Sequence, residues 1–554
     1  MKESPETSSA SASLRWAVYA LLIALAAGSM TGRVLRVTNG NTKNPSPFLS
    51  ANDRSRWCTI RALVDHGTYA IDDIIFDAKG NRIQSWHTID LVKHRAADGK
   101  EHYYSSKPTL LPTLLAGEYW LIKNLTGATL ETRLFYVVRT MLLLTNVLPL
   151  VLGLWLLARI VEKYGSTDAG RIFVMASACG GTFLTTFSIT LNNHTIAAVG
   201  VIATLAAALP IWLEGRKEWS YFVLAGLAAS FTAANELPAL AFFAAIALGL
   251  SLCSWQRTLV AFAPSALLIA AAAFGTNYLA HGSWKTPYAH RGDGPLVATF
   301  PIAMKKFPNV KPQTLKDEAI NALMMQNKNL LSDQSTVVET HHGNRWVIFD
   351  PESQRRYAIT IPGFHRNSWH TEVAHYSSPY LEIHSWDNWY EFDGSYWSSG
   401  ELSSVDNGEP SRLVYAFNCL IGHHGVFSLT PIWLFSVWGT VLWLRSPNRS
   451  FVGLALMIAG LTLIVLLFYF TRPQIDRNYS GFSTCLRWLL WLVPLWLVVM
   501  IPAADSLAVS SLGLGVAVFF LVVSALSASY GAMNPWTHPW IFDYWAYLRW
   551  IDYG

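Results

Sequence analysis

Charged residues are scarce in this chain: Asp, Glu, Lys and Arg make up only 14% of its 554 residues. An ordinary soluble protein carries about 25% charged residues. Hydrophobic residues reach 52%, so a large part of the chain cannot face water. The low charge argues against an ordinary soluble enzyme. The small net charge of +5, without a basic tract, argues against nucleic-acid binding.

The five cysteines are also few and scattered, without a Cys-x-x-Cys spacing or a Cys/His cluster. This pattern argues against a structural zinc site. Cys58 and Cys419 fall in segments predicted to lie outside the membrane, so a disulfide between them is compatible with the sequence. The chain also lacks a glycine-rich loop of the kind that cradles nucleotide phosphates. A nucleotide site of that kind is therefore not expected.

Long apolar runs, in contrast, are abundant. Several reach the 18 or more residues that a helix needs to cross a hydrocarbon core about 30 Å thick. They predict an all-α polytopic membrane protein with about eleven transmembrane helices. Residues 1–30 hold a polar tail and the first apolar run, read as a retained helix; small residues at 24–27 leave a cleaved signal peptide as the alternative. The further predicted spans are 134–158, 171–189, 195–213, 219–235, 238–253, 259–280, 426–444, 451–470, 485–502 and 507–530.

Two long polar stretches interrupt the predicted spans. Residues 31–133 form a first outer loop with amphipathic helices, and residues 281–422 form a larger outer loop of mixed α/β structure. Helices two to seven lie between them in 134–280, and helices eight to eleven follow in 423–530. Residues 531–554 form an aromatic tail, which we expect along the outer interface because Trp and Tyr favour the headgroup level.

Basic residues in the short loops predict the orientation. Arg159, Lys163 and Arg171 flank one turn, and Arg216 with Lys217 lies in another. All of them fall on one side of the membrane if the spans alternate, and the positive-inside rule makes that side the cytoplasm. We therefore expect an integral protein of the cytoplasmic (inner) membrane, with a cytoplasmic N-terminus and with the large loops and the C-terminus outside.

Short polar motifs stand in the first outer loop. Asp53 lies near the start of a helical stretch, where an acidic residue usually caps the helix or complements its dipole. Lys107 precedes an apolar helix that begins near Pro108, where a lysine usually snorkels to the headgroups. The motif residues, in chain order, are Asp53, Arg56, Trp57, Gly67, Tyr69, Tyr104, Lys107, Pro108 and Trp120.

The order and spacing of these residues resemble the first outer loop of GT-C superfamily membrane glycosyltransferases of the protein O-mannosyltransferase and aminoarabinose transferase type. That loop reads roughly Asp-Glu-x-Arg-Tyr, then Gly-Asp-Trp, then Tyr-x-x-Lys-Pro-Pro-Leu before an aromatic pair. This chain departs from it with Arg54 in place of the second acidic residue and Thr109 in place of the second proline. The first departure puts in doubt any role that needs two adjacent carboxylates, such as binding a divalent metal. The resemblance covers about seventy residues in this loop.

The resemblance implies transfer of a sugar from a polyprenyl-phosphate carrier to a lipid, glycan or protein acceptor on the outer face. Asp53 would be the base that takes the acceptor's proton. Lys107 and Arg487 would stabilise the departing phosphate. Arg487, with Trp488, Leu489 and Pro494, is similar to an Arg-Tyr-Leu-x-x-x-x-Pro stretch in late spans of the same superfamily.

Further polar residues stand at the outer ends of predicted spans, where burial is costly and suggests a function. His194 and Glu236 are either turn residues or groups that face a cavity. The adjacent His423 and His424 point about 100° apart on a helix, so we expect hydrogen bonds to a phosphate or sugar rather than a shared metal. Besides the catalytic Asp53, the predicted substrate- and phosphate-binding residues are Arg56, Lys107, His194, Glu236, His423, His424, Arg477 and Arg487.

No cofactor and no metal site are predicted, and a divalent metal stays open. The predicted partners are the polyprenyl-phosphate-linked sugar donor, its acceptor and the lipid bilayer, with no nucleic acid. A polytopic transporter or flippase for a lipid-linked or small polar substrate is the alternative, because buried charges and proline-containing spans also mark transport paths. An inactive membrane scaffold of the same fold is a third hypothesis.

Overall fold

The computed structural model describes residues 5–301, 312–325, 331–339, 345–360, 380–398 and 402–553. Most of these residues are helical, and a separate five-stranded sheet lies in the second half of the chain. Helix α1, Pro5–Arg36, is the first long apolar helix. Its partly buried Arg15 forms ion pairs with Glu162 and Asp168, which attach it to the helices that follow.

The first polar segment folds into short helices and a hairpin. Helix α2, Ala51–Asp65, begins at Ser50, whose side chain caps the helix in a reciprocal capping box. Helix α3 spans Asp72–Ile75, and strands β1, Leu91–Arg95, and β2, Glu101–Ser105, pair antiparallel. Helix α4, Leu110–Thr126, ends where Gly127 adopts a φ of 68°, a conformation that glycine reaches without strain.

A run of apolar helices follows. Helices α5, Leu134–Leu142, and α6, Leu148–Tyr164, are joined without a break by a π-helical turn at Leu143–Val147. The next helices are α7, Asp168–Gly180; α8, Asn193–Glu214; α9, Trp219–Asn235; α10, Leu240–Arg257; and α11, Ala263–His281.

The second polar segment contains the sheet. Its elements are β3, Arg291–Pro301; α12, Pro312–Met325; β4, Thr336–Glu339; β5, Arg345–Asp350; β6, Arg355–Thr360; and β7, Tyr380–Asn388. The strand order is β3-β7-β6-β5-β4, and every pair is antiparallel. One face is covered by α12, whose Leu315 and Leu323 pack with Ile348, Ile359 and Ile383 in a small core.

The last part of the chain is again helical and apolar. It contains α13, Arg412–Leu420; α14, Val426–Leu429; α15, Trp433–Leu444; α16, Arg449–Phe470; α17, Val493–Leu507; α18, Ser511–Tyr530; and α19, Trp540–Tyr547. A 3-10 turn at Arg487–Leu492 leads into α17.

Seven helical runs among the described residues are long and apolar enough to cross a membrane. This confirms the coarse prediction of a mostly helical integral membrane protein. One of the seven, Leu237–His281, has 45 residues, which is enough for two passes of about 20 residues each. The count of about eleven spans and the layout of the loops stay predictions.

Two features bring distant segments together near the first polar segment. The hairpin packs against the residues after β7, where the Lys93 amide donates to the Trp389 carbonyl at 2.8 Å. Val92 and Tyr104 share a buried cluster with Trp389 and Tyr390.

The disulfide considered between Cys58 and Cys419 is absent, since both are free cysteines in the structure.

Candidate functional site

Asp53 lies at the third position of α2, and its carboxylate is buried. Oδ1 accepts hydrogen bonds from the Ser50 amide, the Ser50 hydroxyl and the Arg54 amide. Oδ2 accepts from the Leu49 amide at 3.0 Å and from the Thr190 hydroxyl at 2.9 Å. Burial raises the pKa of Asp53, and the hydrogen bonds from Leu49, Ser50 and Thr190 oppose that rise. Asp53 is therefore the third-position partner of the Ser50 cap, and its Oδ2 also reaches a distant segment.

That distant segment connects Asp53 to Arg487. The Thr190 hydroxyl also accepts a hydrogen bond from the Trp536 indole N–H at 3.1 Å. The Arg487 guanidinium lies over the Trp536 ring, 4.5 Å from its centroid. Two side chains, Thr190 and Trp536, thus join the carboxylate near the N-terminus to the guanidinium near the C-terminus.

Local backbone structure places these groups. Asn146 lies in the π-helical turn at Leu143–Val147. Its side-chain Nδ2 donates to the backbone carbonyls of Ser188 and Thr190. On the other side, Arg487 Nε donates to the Ser480 carbonyl at 3.0 Å, and Ser480 has a positive φ of 73°. Such backbone conformations are rare for residues other than glycine and cluster at functional sites. Arg487 Nη1 is buried and has no hydrogen-bond partner among the described residues.

Arg56 is the second guanidinium of the region, and only 2% of it is exposed. Its Nη1 donates to the carbonyl and side chain of Asn52, and its Nη2 donates to Asn193 Oδ1 at 2.5 Å. These partners are neutral, and no carboxylate of the described residues lies within ion-pair distance of Arg56. Burial lowers the pKa of Arg56, because the charged form loses its hydration.

Asn193 continues the network to Glu236. Asn192 caps α8 and so places Asn193 and His194 in its first turn, while the break between α9 and α10 places Glu236 beside them. The Asn193 side-chain Nδ2 donates to Glu236 Oε1 at 2.6 Å, and His194 Nδ1 is hydrogen-bonded to the same oxygen. Both His194 and Glu236 are buried. The structure thus brings together Arg56, His194 and Glu236, which come from three separate motifs.

Lys107 is paired with Asp90, a residue that the sequence did not point to. The Lys107 ammonium lies 2.9 Å from Asp90 Oδ2, and both residues are buried. Asp90 also lies within electrostatic reach of Arg56 and of Arg487. Glu236 also lies within electrostatic reach of both guanidinium groups, so Asp90 and Glu236 are the acidic residues near the cations of the region.

Arg477 is buried, but its guanidinium has a different environment. It donates to the carbonyls of Glu409, Pro410 and Arg472. These bonds tie the segment before α13 to the loop before the Arg487 turn. The structure gives Arg477 the contacts of an anchor between two backbone segments.

His423 and His424 form a separate buried cluster with the C-terminal tail. Their Nδ1 atoms are hydrogen-bonded to each other at 2.5 Å, and His423 Nε2 is bonded to the Tyr553 hydroxyl at 3.1 Å. Burial lowers the pKa of His423 to about 3, and that of His424 is also lowered. Both rings are therefore neutral at pH 7. His424 Nε2 has no partner in the described part of the chain.

Arg54 occupies the position where the resembled motif has a second acidic residue. Its guanidinium donates to the His87 carbonyl at 2.7 Å, so it supports the first polar segment. The described residues contain no group of three His, Cys, Asp or Glu side chains arranged to hold a metal ion.

Two small cavities adjoin the charged residues. One is lined by Lys107, Tyr69, Tyr104, Thr109 and His281 among others. A second lies on the apolar side of the Arg487 turn. Its lining includes Leu429, Trp433, Leu486, Leu489, Leu490 and His424.

The sequence indicated most of the ionisable residues of this region and missed the residues that connect them. Asn193 carries only the sequence signal of a turn residue beside His194. Thr190, Asp90 and Trp536 were missed, because a threonine, a lone acid between apolar residues and one tryptophan among many carry no local signal. The contacts that distinguish them join segments far apart in sequence.

Comparison with known proteins gives few matches. No protein-family model and no curated protein matches the chain. Among solved structures, the apo oligosaccharyltransferase of Archaeoglobus fulgidus is similar at a TM-score of 0.42 and 13% identity, over 94% of this chain and 56% of that one. The oligosaccharyltransferase AglB of the same organism, in complex with an inhibitory peptide and a dolichol-phosphate, gives a TM-score of 0.43 and 12% identity over the same shares.

A third structure is the same archaeal enzyme tethered to an acceptor peptide with an NVT sequon, at a TM-score of 0.41 and 12% identity. The chain spans a little over half of the length of these proteins. TM-scores of this size do not establish a shared fold.

Proposed function

We propose that the chain is a GT-C-like glycosyltransferase that moves a sugar from a polyprenyl-phosphate carrier to an acceptor at the outer face of the membrane. One observation carries the proposal. Two guanidinium groups, Arg56 and Arg487, lie within electrostatic reach of each other, and neither has a carboxylate partner among the described residues. Asp90 and Glu236 act on both groups only from beyond ion-pair distance. A bound phosphate would supply the directly bonded anionic partner that each buried guanidinium lacks.

The chemistry of these cations suits a lipid phosphate. A guanidinium can hold phosphate through two parallel hydrogen bonds, and an ammonium acts as a point charge. The unpartnered Nη1 of Arg487 is the group available for such a bond. Lys107, held by Asp90, is proposed as the third cation. In a site that excludes water, each contact stabilises the charge that develops on the departing phosphate more strongly than in water.

Asp53 is proposed as the base, as the resemblance of its motif implies. Oδ2 of Asp53 already accepts from the Leu49 amide and the Thr190 hydroxyl, which occupy both of its lone pairs. One of these two donors must leave before an acceptor hydroxyl can bind at Oδ2. We assign that step to the Thr190 hydroxyl, which can rotate away from Oδ2. The raised pKa of Asp53 favours proton uptake.

The proposed reaction is a direct displacement. The acceptor oxygen attacks the anomeric carbon and its proton passes to Asp53. The bond from that carbon to the phosphate oxygen breaks, and its electron pair leaves with the polyprenyl phosphate. The configuration at the anomeric carbon would be inverted. The isoprenoid tail of the carrier is proposed to lie against the apolar residues beside the Arg487 turn, among them Leu486, Leu489 and Leu490.

The other predicted residues receive supporting roles. Glu236 and His194 lie beside Arg56 and are proposed to bind sugar hydroxyls. His424 lines the apolar cavity, with His423 behind it, and Arg477 is proposed to shape the loop before Arg487. We also propose that the acceptor is a lipid, glycan or protein. The protein is proposed to lie in the inner membrane with its N-terminus in the cytoplasm.

The test is transfer of radiolabelled sugar from a panel of polyprenyl-phosphate donors in membranes, with wild type compared with Asp53→Asn at equal expression. Asn keeps one oxygen for the donors at Oδ1, places an NH2 group toward the Leu49 amide and cannot take a proton. We expect transfer to fall about 100-fold or more, while the free energy of unfolding falls by only about 1–3 kcal/mol, the cost of one unsatisfied donor. Equal transfer by both proteins would remove Asp53 from the mechanism, and no transfer from any donor would contradict the proposed function.

A further inference from the structure

Trp536 differs from the exposed aromatic residues of the C-terminal tail. Trp540, Tyr544, Tyr547 and Trp550 are all exposed, as expected for side chains at a membrane interface. Trp536 is only 9% exposed. It lies among the charged residues of the site, although it follows the last long apolar helix.

Both the N–H group and the ring of the Trp536 indole make contacts in the site. The indole N–H donates to Thr190, whose own hydroxyl donates to Asp53. The indole ring supports the Arg487 guanidinium at 4.5 Å, within the distance of about 6 Å at which a cation is attracted to an aromatic face. One rigid side chain thus touches both the phosphate-binding guanidinium and the hydroxyl bonded to the proposed base.

The tail backbone around Trp536 is fixed by contacts with other segments. The Thr484 amide donates to the Pro535 carbonyl at 3.0 Å, and Arg33 of α1 donates to the Ala532 carbonyl. The Trp536 ring also meets Phe187 edge to face, with centroids 5.8 Å apart. The position of the indole is therefore defined by several segments and does not depend on the tail alone.

We propose that Trp536 is a positioning residue that holds Arg487 in the orientation that binds the donor phosphate and keeps Thr190 on Asp53 until the acceptor arrives. This inference rests on the proposed function, because the orientation of Arg487 matters through the phosphate that it binds. It assigns the C-terminal tail to the active site, where the aromatic composition alone predicted an interfacial anchor.

The test is a comparison of Trp536→Leu with Trp540→Leu in the transfer assay. Trp540 lies in the same tail and its indole donates to Ser527, away from Arg487. We expect Trp536→Leu to raise the donor KM about tenfold, the loss expected when a desolvated cation–π contact is removed. The acceptor KM should change less than threefold, and Trp540→Leu should leave both constants near those of wild type.

Trp536→Gln separates positioning from folding. Gln is polar enough for the site and keeps an N–H for Thr190, but it has no ring to support Arg487. It should raise the donor KM as much as Leu does, whereas Trp536→Phe, which keeps a ring, should restore most of the donor affinity. A wild-type donor KM in Trp536→Gln, or equal effects at Trp536 and Trp540, would overturn the inference. An inactive wild type would instead contradict the proposed function itself.

Discussion

At the scale of single residues, Arg477 and Arg487 form an instructive pair. The Arg477 guanidinium donates to three backbone carbonyls, so its hydrogen-bonding capacity serves the fold. Arg487 donates to one carbonyl and leaves a buried Nη1 without a partner in the described residues. The same residue type, ten positions apart in the sequence, is therefore proposed to stabilise the loop in one case and to bind a ligand in the other.

Substitution by Gln should separate these two roles. Arg487→Gln should raise the donor KM about tenfold or more, since a hydrogen bond to a charged group contributes about 1.5–3 kcal/mol, and should leave the thermal midpoint nearly unchanged. Arg477→Gln should lower the thermal midpoint and leave the donor KM of the folded protein within about threefold. Donor titrations and thermal unfolding of both variants in the same detergent check this. The reverse pattern would contradict the assignment of the two arginines.

Glu118 of α4 provides a pH-dependent test of the fold. Its carboxylate accepts a hydrogen bond from Thr145, and burial raises its pKa to about 7. Because the folded-state pKa is above the unfolded value, the folded state binds more protons between about pH 4.5 and pH 7. Stability should therefore fall as pH rises through 7.

Glu118→Gln should remove this dependence. The wild type should lose about 1–2 kcal/mol of stability between pH 5 and pH 8, and the variant should lose clearly less. Thermal midpoints in one buffer series measure the difference. Parallel curves for the two proteins would show that the Glu118 carboxyl does not titrate in this range.

Individual residues were predictable from the sequence where local chemistry determines their contacts. The place of Asp53 near a helix start predicts a cap or a partner of the helix dipole. The structure makes Ser50 the N-cap and Asp53 the third residue of the helix, joined to Ser50 in a capping box. A lysine in the position of Lys107 usually snorkels to headgroups, but Lys107 is buried against Asp90, and its predicted phosphate-binding role stays a prediction. That pairing depends on how the loop folds back on itself, which no local pattern encodes.

At the scale of elements, the junction between α18 and the tail shows how a single glycine positions the segment after it. A Cβ on Gly531 would lie 2.1 Å from the Thr484 side chain, and Thr484 is also the residue whose amide holds Pro535. The close approach of Gly531 to Thr484 permits the tail to turn back toward the loop that contains Arg487. The aromatic composition predicted the exposed part of the tail, but it could not reveal this turn.

Gly531→Ala should therefore displace the tail. We expect a loss of stability of about 1–3 kcal/mol from overpacking and a higher donor KM, because Trp536 moves with the tail. Gly515→Ala is the matched control, since a Cβ there meets nothing within 4 Å, and alanine should stabilise the helix slightly. Thermal midpoints and donor titrations of both variants measure the effects. Wild-type behaviour of Gly531→Ala would show that the tail adapts freely.

At the scale of the whole molecule, the candidate site is assembled from both ends of the chain. Arg56 and Lys107 come from the first polar segment, His194 and Glu236 from helix ends in the middle, and Arg487 from a late turn. Apolar runs were sufficient to predict a helical membrane protein, because lipid requires helices that satisfy their own backbone. The order of the sheet and the meeting of these five residues depend on long-range packing, which one sequence does not display.

Arg56 and Arg487 are proposed to bind the phosphate of a polyprenyl carrier together. Saturation binding of polyprenyl phosphate without a sugar to the purified full-length protein in nanodiscs tests this, for wild type and for the Arg56→Gln/Arg487→Gln double variant. We expect saturable binding by wild type and a loss of about 100-fold or more in the double variant. Absence of saturable binding by wild type, or equal binding by both proteins, would rule out a shared phosphate site.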